Sequence, residues 1–280
     1  MPTISRTDLG ELAYQTQGEG GPALLTMHGW AGSGAYFDAM LKQIPADEVY
    51  SIVFDLPGHG RSASPSGPYT LDLIADAVMA VADAAGADTF VLLGFSMSAK
   101  FAQYVTYRHP DRVLGQILVA GCPAGPLQLP AELVDDWCAR AGDAGRLAEV
   151  SLSCATRPIP AHLLAAAGLD AALVPGSVLR QTVDLCATAA FADEITGSEA
   201  LTLVVGGSGD WLFTPDTLRD AVVAPLARAQ LALLDCGHEI PLEAPSELAE
   251  LIRKFIEDLR PMAGANLQRR PMVTPQGQLP

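Results

Sequence analysis

The chain has 280 residues, 49% of them hydrophobic and 18% charged, and its formal net charge is −15. That is enough apolar sequence for one large core, or for a core domain that carries an insertion. The negative charge weighs against nucleic acid and anionic membrane surfaces as partners, because both are polyanions. The first expected strand is 11–16. Ala23-Leu24-Leu25-Thr26-Met27 and Tyr50-Ser51-Ile52-Val53-Phe54 are short apolar runs closed by turn residues, the pattern of strands buried on both faces. Between them, 33–44 reads as a helix. Thr70 caps a second helix that carries Leu71, Ile74, Val78, Val81 and Ala85 on one side. Strands at 89–95 and 113–119 flank a helix over 99–109. This β-α-β-α order predicts an α/β fold with a doubly wound, mostly parallel sheet and right-handed crossovers.

From Cys122 to about Gly197 the texture changes. Strand runs stop, Ala, Leu and Asp dominate, and Pro or Gly recurs every 10–15 residues. Short helices are expected near 130–141, 144–154, 160–168 and 176–192. Strand-like sequence resumes at Leu201-Thr202-Leu203-Val204-Val205 and Leu231-Ala232-Leu233-Leu234, with a helix start at Thr214-Pro215 between them. The last helix carries Leu248, Leu251, Ile252, Phe255, Ile256 and Leu259 as one stripe that must face the sheet. The expected organisation is therefore a core domain over 1–121 and 198–260, an all-helical insertion over 122–197, and a Pro-, Gly- and Gln-rich tail over 261–280.

No apolar run approaches the ~20 residues of a membrane span. The N-terminus lacks the charged stretch and apolar run of a signal peptide. Five cysteines, Cys122, Cys138, Cys154, Cys186 and Cys236, stand singly without metal-ligand or redox spacing, as buried thiols in a reducing compartment do. A cytoplasmic location is expected.

The chemistry centres on Thr89-Phe90-Val91-Leu92-Leu93-Gly94-Phe95-Ser96-Met97-Ser98. Gly-x-Ser also occurs at Gly60 and Gly206, but only Ser96 lies between a buried strand and a helix. A serine hydroxyl needs a base, and the base needs an orienting group. Among the five histidines, His238 follows the last strand, on the carboxyl edge that Ser96 also occupies. A buried structural histidine is the alternative. His28 is expected to brace a loop, His59 to belong to a structural turn, His109 to end a helix and His162 to lie in the insertion. Asp210 follows the strand ending at Val205 and is the candidate orienting carboxylate; a turn aspartate bonding its own backbone is the alternative, and Asp216 and Asp235 compete. The Gly-rich loop His28-Gly29-Trp30-Ala31-Gly32 can aim backbone N–H groups at an oxyanion, with those of Trp30 and Met97 as candidates. His28, Gly29, Phe95, Cys122 and Trp137 are candidate pocket-lining residues. Leu133, Trp137, Leu163, Leu164, Val178 and Leu185 suggest an apolar roof, though helix packing explains them equally. Lys100 reads as a helix-surface residue.

His28-Gly29-Trp30, Asp55-Leu56-Pro57-Gly58-His59-Gly60-Arg61-Ser62, Gly94-Phe95-Ser96-Met97-Ser98, Asp210 and Gly237-His238 together resemble the α/β-hydrolase superfamily, and the order Ser…Asp…His agrees. The likeness covers about residues 10–121 and 198–260. It implies the triad Ser96, Asp210 and His238, and a helical cap formed by the insertion. One position departs from the pattern: Ser98 stands where the elbow usually has glycine, and a slight widening of the turn is expected. The implied activity is that of a serine hydrolase acting on an ester, thioester or lactone of a small, largely apolar substrate through an acyl-enzyme, without metal or organic cofactor. A C–C bond hydrolase, a cofactor-free perhydrolase and an acyltransferase use the same groups, and a non-catalytic ligand-binding protein is the alternative of another class. The expected partner is a small-molecule substrate, and a homodimer is left open.

Overall fold

Strands whose side chains are apolar on both faces can only be central strands covered from both sides. A computed structural model, which describes residues 3–6, 9–65 and 68–263, places them so. The described residues form an eight-stranded sheet of β1 (Thr3–Arg6), β2 (Gly10–Gln17), β3 (Ala23–Met27), β4 (Tyr50–Phe54), β5 (Phe90–Phe95), β6 (Val113–Val119), β7 (Thr202–Gly207) and β8 (Ala229–Leu234), in the order β1-β2-β4-β3-β5-β6-β7-β8. Strand β2 runs antiparallel to both of its neighbours, and every pair from β4 to β8 is parallel. Every residue of β3, β4, β5 and β7 is buried, whereas no residue of the edge strand β8 is. On β5, Phe90 and Leu92 face one core while Val91, Leu93 and Phe95 face the other.

Helices cover both faces. On one side lie α2 (Leu71–Ala84) and α3 (Met97–Arg108), through Ile74, Val78, Val81, Phe101 and Val105. On the other lie a single turn, α1 (Asp38–Leu41), and the last helix, whose Leu248, Ile252, Ile256 and Leu259 are buried while Leu251 and Phe255 are partly covered. Between β6 and β7 the chain forms α4 (Ala131–Cys138), α5 (Ala144–Cys154), α6 (Ala161–Ala172), α7 (Gly176–Thr188) and α8 (Ala192–Ile195), with no strand among them. After β7 come α9 (Pro215–Thr217), α10 (Ile240–Glu243) and α11 (Pro245–Ala263).

The structure departs from the sequence expectations in four places. The helix expected over 33–44 is a 3-10 turn, Gly34–Phe37, followed by α1, because Ser33 caps the turn through its own hydroxyl and the backbone tightens there. Strand β1 was not expected. Behind Thr214, whose hydroxyl accepts from the Thr217 N–H, three α-helical residues pass into a π-helix, Leu218–Val223. Helix α11 continues to Ala263, past the expected start of the tail, whose residues 264–280 lie outside the described residues. No single described helix is long and apolar enough to cross a membrane; α6 and α7 pass that test only as a pair bent by 96°.

One buried carboxylate ties the insertion to the core. The Glu243 Oε2 accepts from the N–H groups of Thr156 (2.8 Å), Arg157 (2.7 Å) and Gly237 (2.9 Å), and its Oε1 accepts from Glu239 N–H (2.9 Å). Four amides from two segments thus converge on one side chain. Each buried donor left unpaired costs about 1–3 kcal/mol. Glu243→Ala is therefore expected to destabilise the fold by at least about 3 kcal/mol in chemical denaturation, with Glu243→Gln losing less because its one remaining oxygen still accepts.

Candidate active site

Strand β5 ends at Phe95 and α3 begins at Met97, so Ser96 makes the whole turn, with φ 54° and ψ −116°. A non-glycine residue there is strained, and strain of this kind persists only where the surroundings enforce it. The Ser96 N–H donates to Val119 O at 2.8 Å, and its carbonyl accepts from Ala99 N–H (3.0 Å) and Cys122 N–H (3.1 Å). Gly94 admits no side chain, since a Cβ would stand 2.1 Å from the Ser98 carbonyl oxygen. The elbow keeps its form despite Ser98, whose hydroxyl donates to the His28 carbonyl and joins the elbow to the loop after β3.

Three side chains meet at the carboxyl edge of the sheet. The His238 Nε2 lies 2.9 Å from Ser96 Oγ, and Nδ1 lies 2.8 Å from Asp210 Oδ2. The second Asp210 oxygen, Oδ1, accepts from Leu212 N–H (2.8 Å) and Phe213 N–H (3.1 Å). Both sequence readings of Asp210 hold together: one oxygen makes the turn and the other meets the imidazole. The Phe95 and Phe213 rings flank that imidazole at 5.5 and 5.7 Å. Burial alone would lower the His238 pKa, but the Asp210 hydrogen bond and charge, with the charges of Glu239 and Glu243, outweigh it and hold the pKa above the ordinary histidine value. Asp216 is on the surface, paired with Arg219, and Asp235 has no contact with the imidazole.

The loop after β3 is braced from behind. The His28 Nε2 accepts from Leu56 N–H (3.0 Å) and Nδ1 donates to Gly29 O (2.8 Å). Asp55 accepts from the N–H groups of Gly34 (2.7 Å) and Arg61 (2.9 Å), which explains the Asp55–Ser62 motif as a bracket between two loops. His59 is buried with Nδ1 on Pro57 O at 3.1 Å, while His162 is exposed.

A cavity of about 60 Å³ opens above Ser96 and His238. Of the expected lining residues, Gly29, Phe95 and Trp137 face it, as does Trp30. His28 and Cys122 do not: the His28 ring is turned inward onto Leu56, and Cys122 is wholly buried beneath the elbow. The roof is built differently from the expectation. Of the six suggested residues only Trp137 lines the cavity, 5.7 Å from the Trp30 ring; α5 and α6 instead present Leu147, Val150, Ser151, Cys154, Ala167 and Ala171. Tyr36, Leu212 and Glu239 complete the wall and had no sequence signal beyond their nearness to the motifs. Lys100, expected on a helix surface, is fully buried and donates to the carbonyls of Gly125 and Cys186, both at 2.7 Å, because the insertion covers that face of α3.

Comparison with known proteins places this geometry. Residues 22–141 match the family model described as the alpha/beta hydrolase fold. Over 263 residues the chain is 28% identical to lipase LipV of Mycobacterium tuberculosis, covering 87% of this chain and 97% of that one. Over 129 residues it is 31% identical to pimeloyl-[acyl-carrier protein] methyl ester esterase of Klebsiella pneumoniae, a match that spans 46% of each chain. Among solved structures, the enol-lactonase of Burkholderia xenovorans LB400 superposes with a TM-score of 0.79 at 20% identity, covering 91% of this chain and 100% of that one. Strand order, elbow and these matches agree: the chain has the alpha/beta hydrolase fold.

Proposed function

We propose that the protein is a serine hydrolase that cleaves esters of small acyl groups, lactones included, through an acyl-enzyme. The unbroken hydrogen-bond chain Ser96–His238–Asp210 at the floor of a cavity carries this reading. With Nδ1–H donating to Asp210, the imidazole has Nε2 free to accept the Ser96 proton. Ser96 Oγ attacks the carbonyl carbon, and His238 takes the hydroxyl proton and returns it to the leaving alcohol. Water then repeats the sequence on the acyl-enzyme.

The oxyanion would be held by the backbone N–H groups of Met97 and Trp30. Met97 is the first residue of α3, where an N–H has no intrahelical acceptor and the helix dipole favours negative charge. Losing one such donor typically costs about 2.7–4 kcal/mol of transition-state stabilisation. The relatives named as a lipase and a methyl ester esterase support ester cleavage.

Four outcomes are expected. Ser96→Ala should fold as the native protein does, lose turnover and take up no organophosphate, read by intact-protein mass spectrometry; label on Ser98 instead would sink the assignment. The kcat/KM should rise with pH to a plateau through an ionisation above the ~6.5 of a free imidazole, because the base works only when neutral and its pKa is raised. Asp210→Asn should move that midpoint down, since burial would then act unopposed by the carboxylate, and should lower the plateau by roughly 10⁴-fold, as in the analogous serine protease substitution. Across p-nitrophenyl esters, the small cavity should favour acetyl to butyryl groups, with octanoate at least about tenfold worse in kcat/KM.

A further inference from the structure

Glu239 follows the base directly in sequence, is buried, and takes no part in the Ser96–His238–Asp210 chain. Its side chain lines the same cavity as Ser96. Its backbone N–H is fixed on Glu243, and its Oε2 is buried with no hydrogen-bond partner. Two hydroxyls from different parts of the fold interact with its carboxyl: Tyr36, from the 3-10 turn after β3, and Ser151, from α5, 3.0 Å apart. The Tyr36 ring is held in place by stacking on Phe95 at 6.0 Å. Apart from this corner, the wall beside Ser96 is made largely of Trp30, Trp137, Leu147 and Val150.

A buried carboxyl oxygen without a partner is costly, and of the groups around Glu239 only the Ser151 and Tyr36 hydroxyls interact with its carboxyl, leaving Oε2 unpaired. Burial pushes the Glu239 carboxyl up to about 7, against the pull of the His238 charge and the Ser151 hydroxyl. A polar group held rigid and unsatisfied in an apolar pocket discriminates strongly, because a ligand lacking the complementary donor leaves the cost in place. We propose that Glu239, flanked by Tyr36 and Ser151, is the specificity element of the acyl pocket and selects esters whose acyl chain ends in a hydrogen-bond donor, a hydroxyl or an ammonium. This rests on the reading of Ser96 as the nucleophile.

The test compares three methyl esters of equal length: butyrate, 3-hydroxypropionate and 3-aminopropionate, the last protonated at neutral pH. Each is measured on the wild type, Glu239→Gln and Glu239→Leu, as the ratio of its kcat/KM to that of butyrate on the same variant. All three esters use the same His238, so the ratio cancels any effect of the substitution on the base. The wild type is expected to prefer at least one donor-bearing ester by about 10²-fold, and Glu239→Leu should bring that ratio to about one or below. Glu239→Gln separates the two donors: a hydroxyl still finds an amide oxygen and keeps much of its preference, whereas an ammonium loses its counter-charge and its preference. Wild-type ratios within about threefold of one for both donor esters, or a preference that survives Glu239→Leu, would overturn the proposal whether or not every variant folds. Organophosphate labelling in parallel separates the two levels. A wild type that takes the label and turns over butyrate without discrimination loses only the Glu239 proposal, while one that neither labels nor hydrolyses any ester loses the hydrolase reading as well.

Discussion

The site depends on a single backbone conformation, that of Ser96 at φ 54°. Holding a non-glycine residue in that region costs about 1–3 kcal/mol, and what offsets the cost lies in the sheet. Strand β5 is central and buried on both faces, so Phe95 cannot shift. The Ser96 amide is held by the end of β6, and its carbonyl by the chain that leaves β6. Gly94 lets the first turn of α3 press onto the strand. The consequence is chemical: Ser96 is lifted clear of both elements, and the unpaired N–H of Met97 stands beside it.

The imidazole that meets Ser96 is held by other means. His238 donates its backbone N–H to the Cys154 carbonyl at 2.8 Å, at the end of α5. Gly237 sits so close to that segment that a Cβ would lie 2.5 Å from the Cys154 oxygen. Glu243 then binds the amides of Thr156 and Arg157 together with those of Gly237 and Glu239. The insertion is thus part of the frame that carries the imidazole, besides being the roof of the cavity. It is pinned elsewhere by Trp30 Nε1 on Leu179 O at 3.0 Å and by Lys100 on Cys186 O at 2.7 Å. Two links, the Cys154 carbonyl and the Glu243 carboxylate, thus fix α5 and the imidazole to one another.

The sheet was legible because burial on both faces leaves strands written as unbroken apolar runs, and the turn at Ser96 because a strand, a Gly-x-Ser and a helix start follow without a gap. The positions of Asp210 and His238 at strand ends were readable for the same reason. The insertion was legible as helices, by texture, but not as a surface. Leucines such as Leu163 and Leu185 drew attention as a roof, whereas the cavity is faced by Ala167, Ala171, Ser151 and Cys154. These small residues carry no periodic signal, and Leu147 and Val150 of α5 reach the cavity only through the way that helix packs above Ser96. Lys100 shows the same limit: its own helix gave it a solvent face, and a segment distant in sequence removed it.

The three carboxylates gathered round His238 differ chiefly in how many donors reach them. Glu243 accepts four backbone amides, and Asp210 accepts two as well as the imidazole. Glu239 leaves one oxygen with none. Like charges confined in one low-dielectric pocket cannot all be equally favourable, and the carboxyl that burial pushes up to about 7 is the one without amides to satisfy it. Its charge, with that of Asp210, favours protonated His238. The same buried environment therefore has two effects: the surrounding carboxylates hold the His238 pKa up, and one Glu239 oxygen in the cavity wall is left unsatisfied.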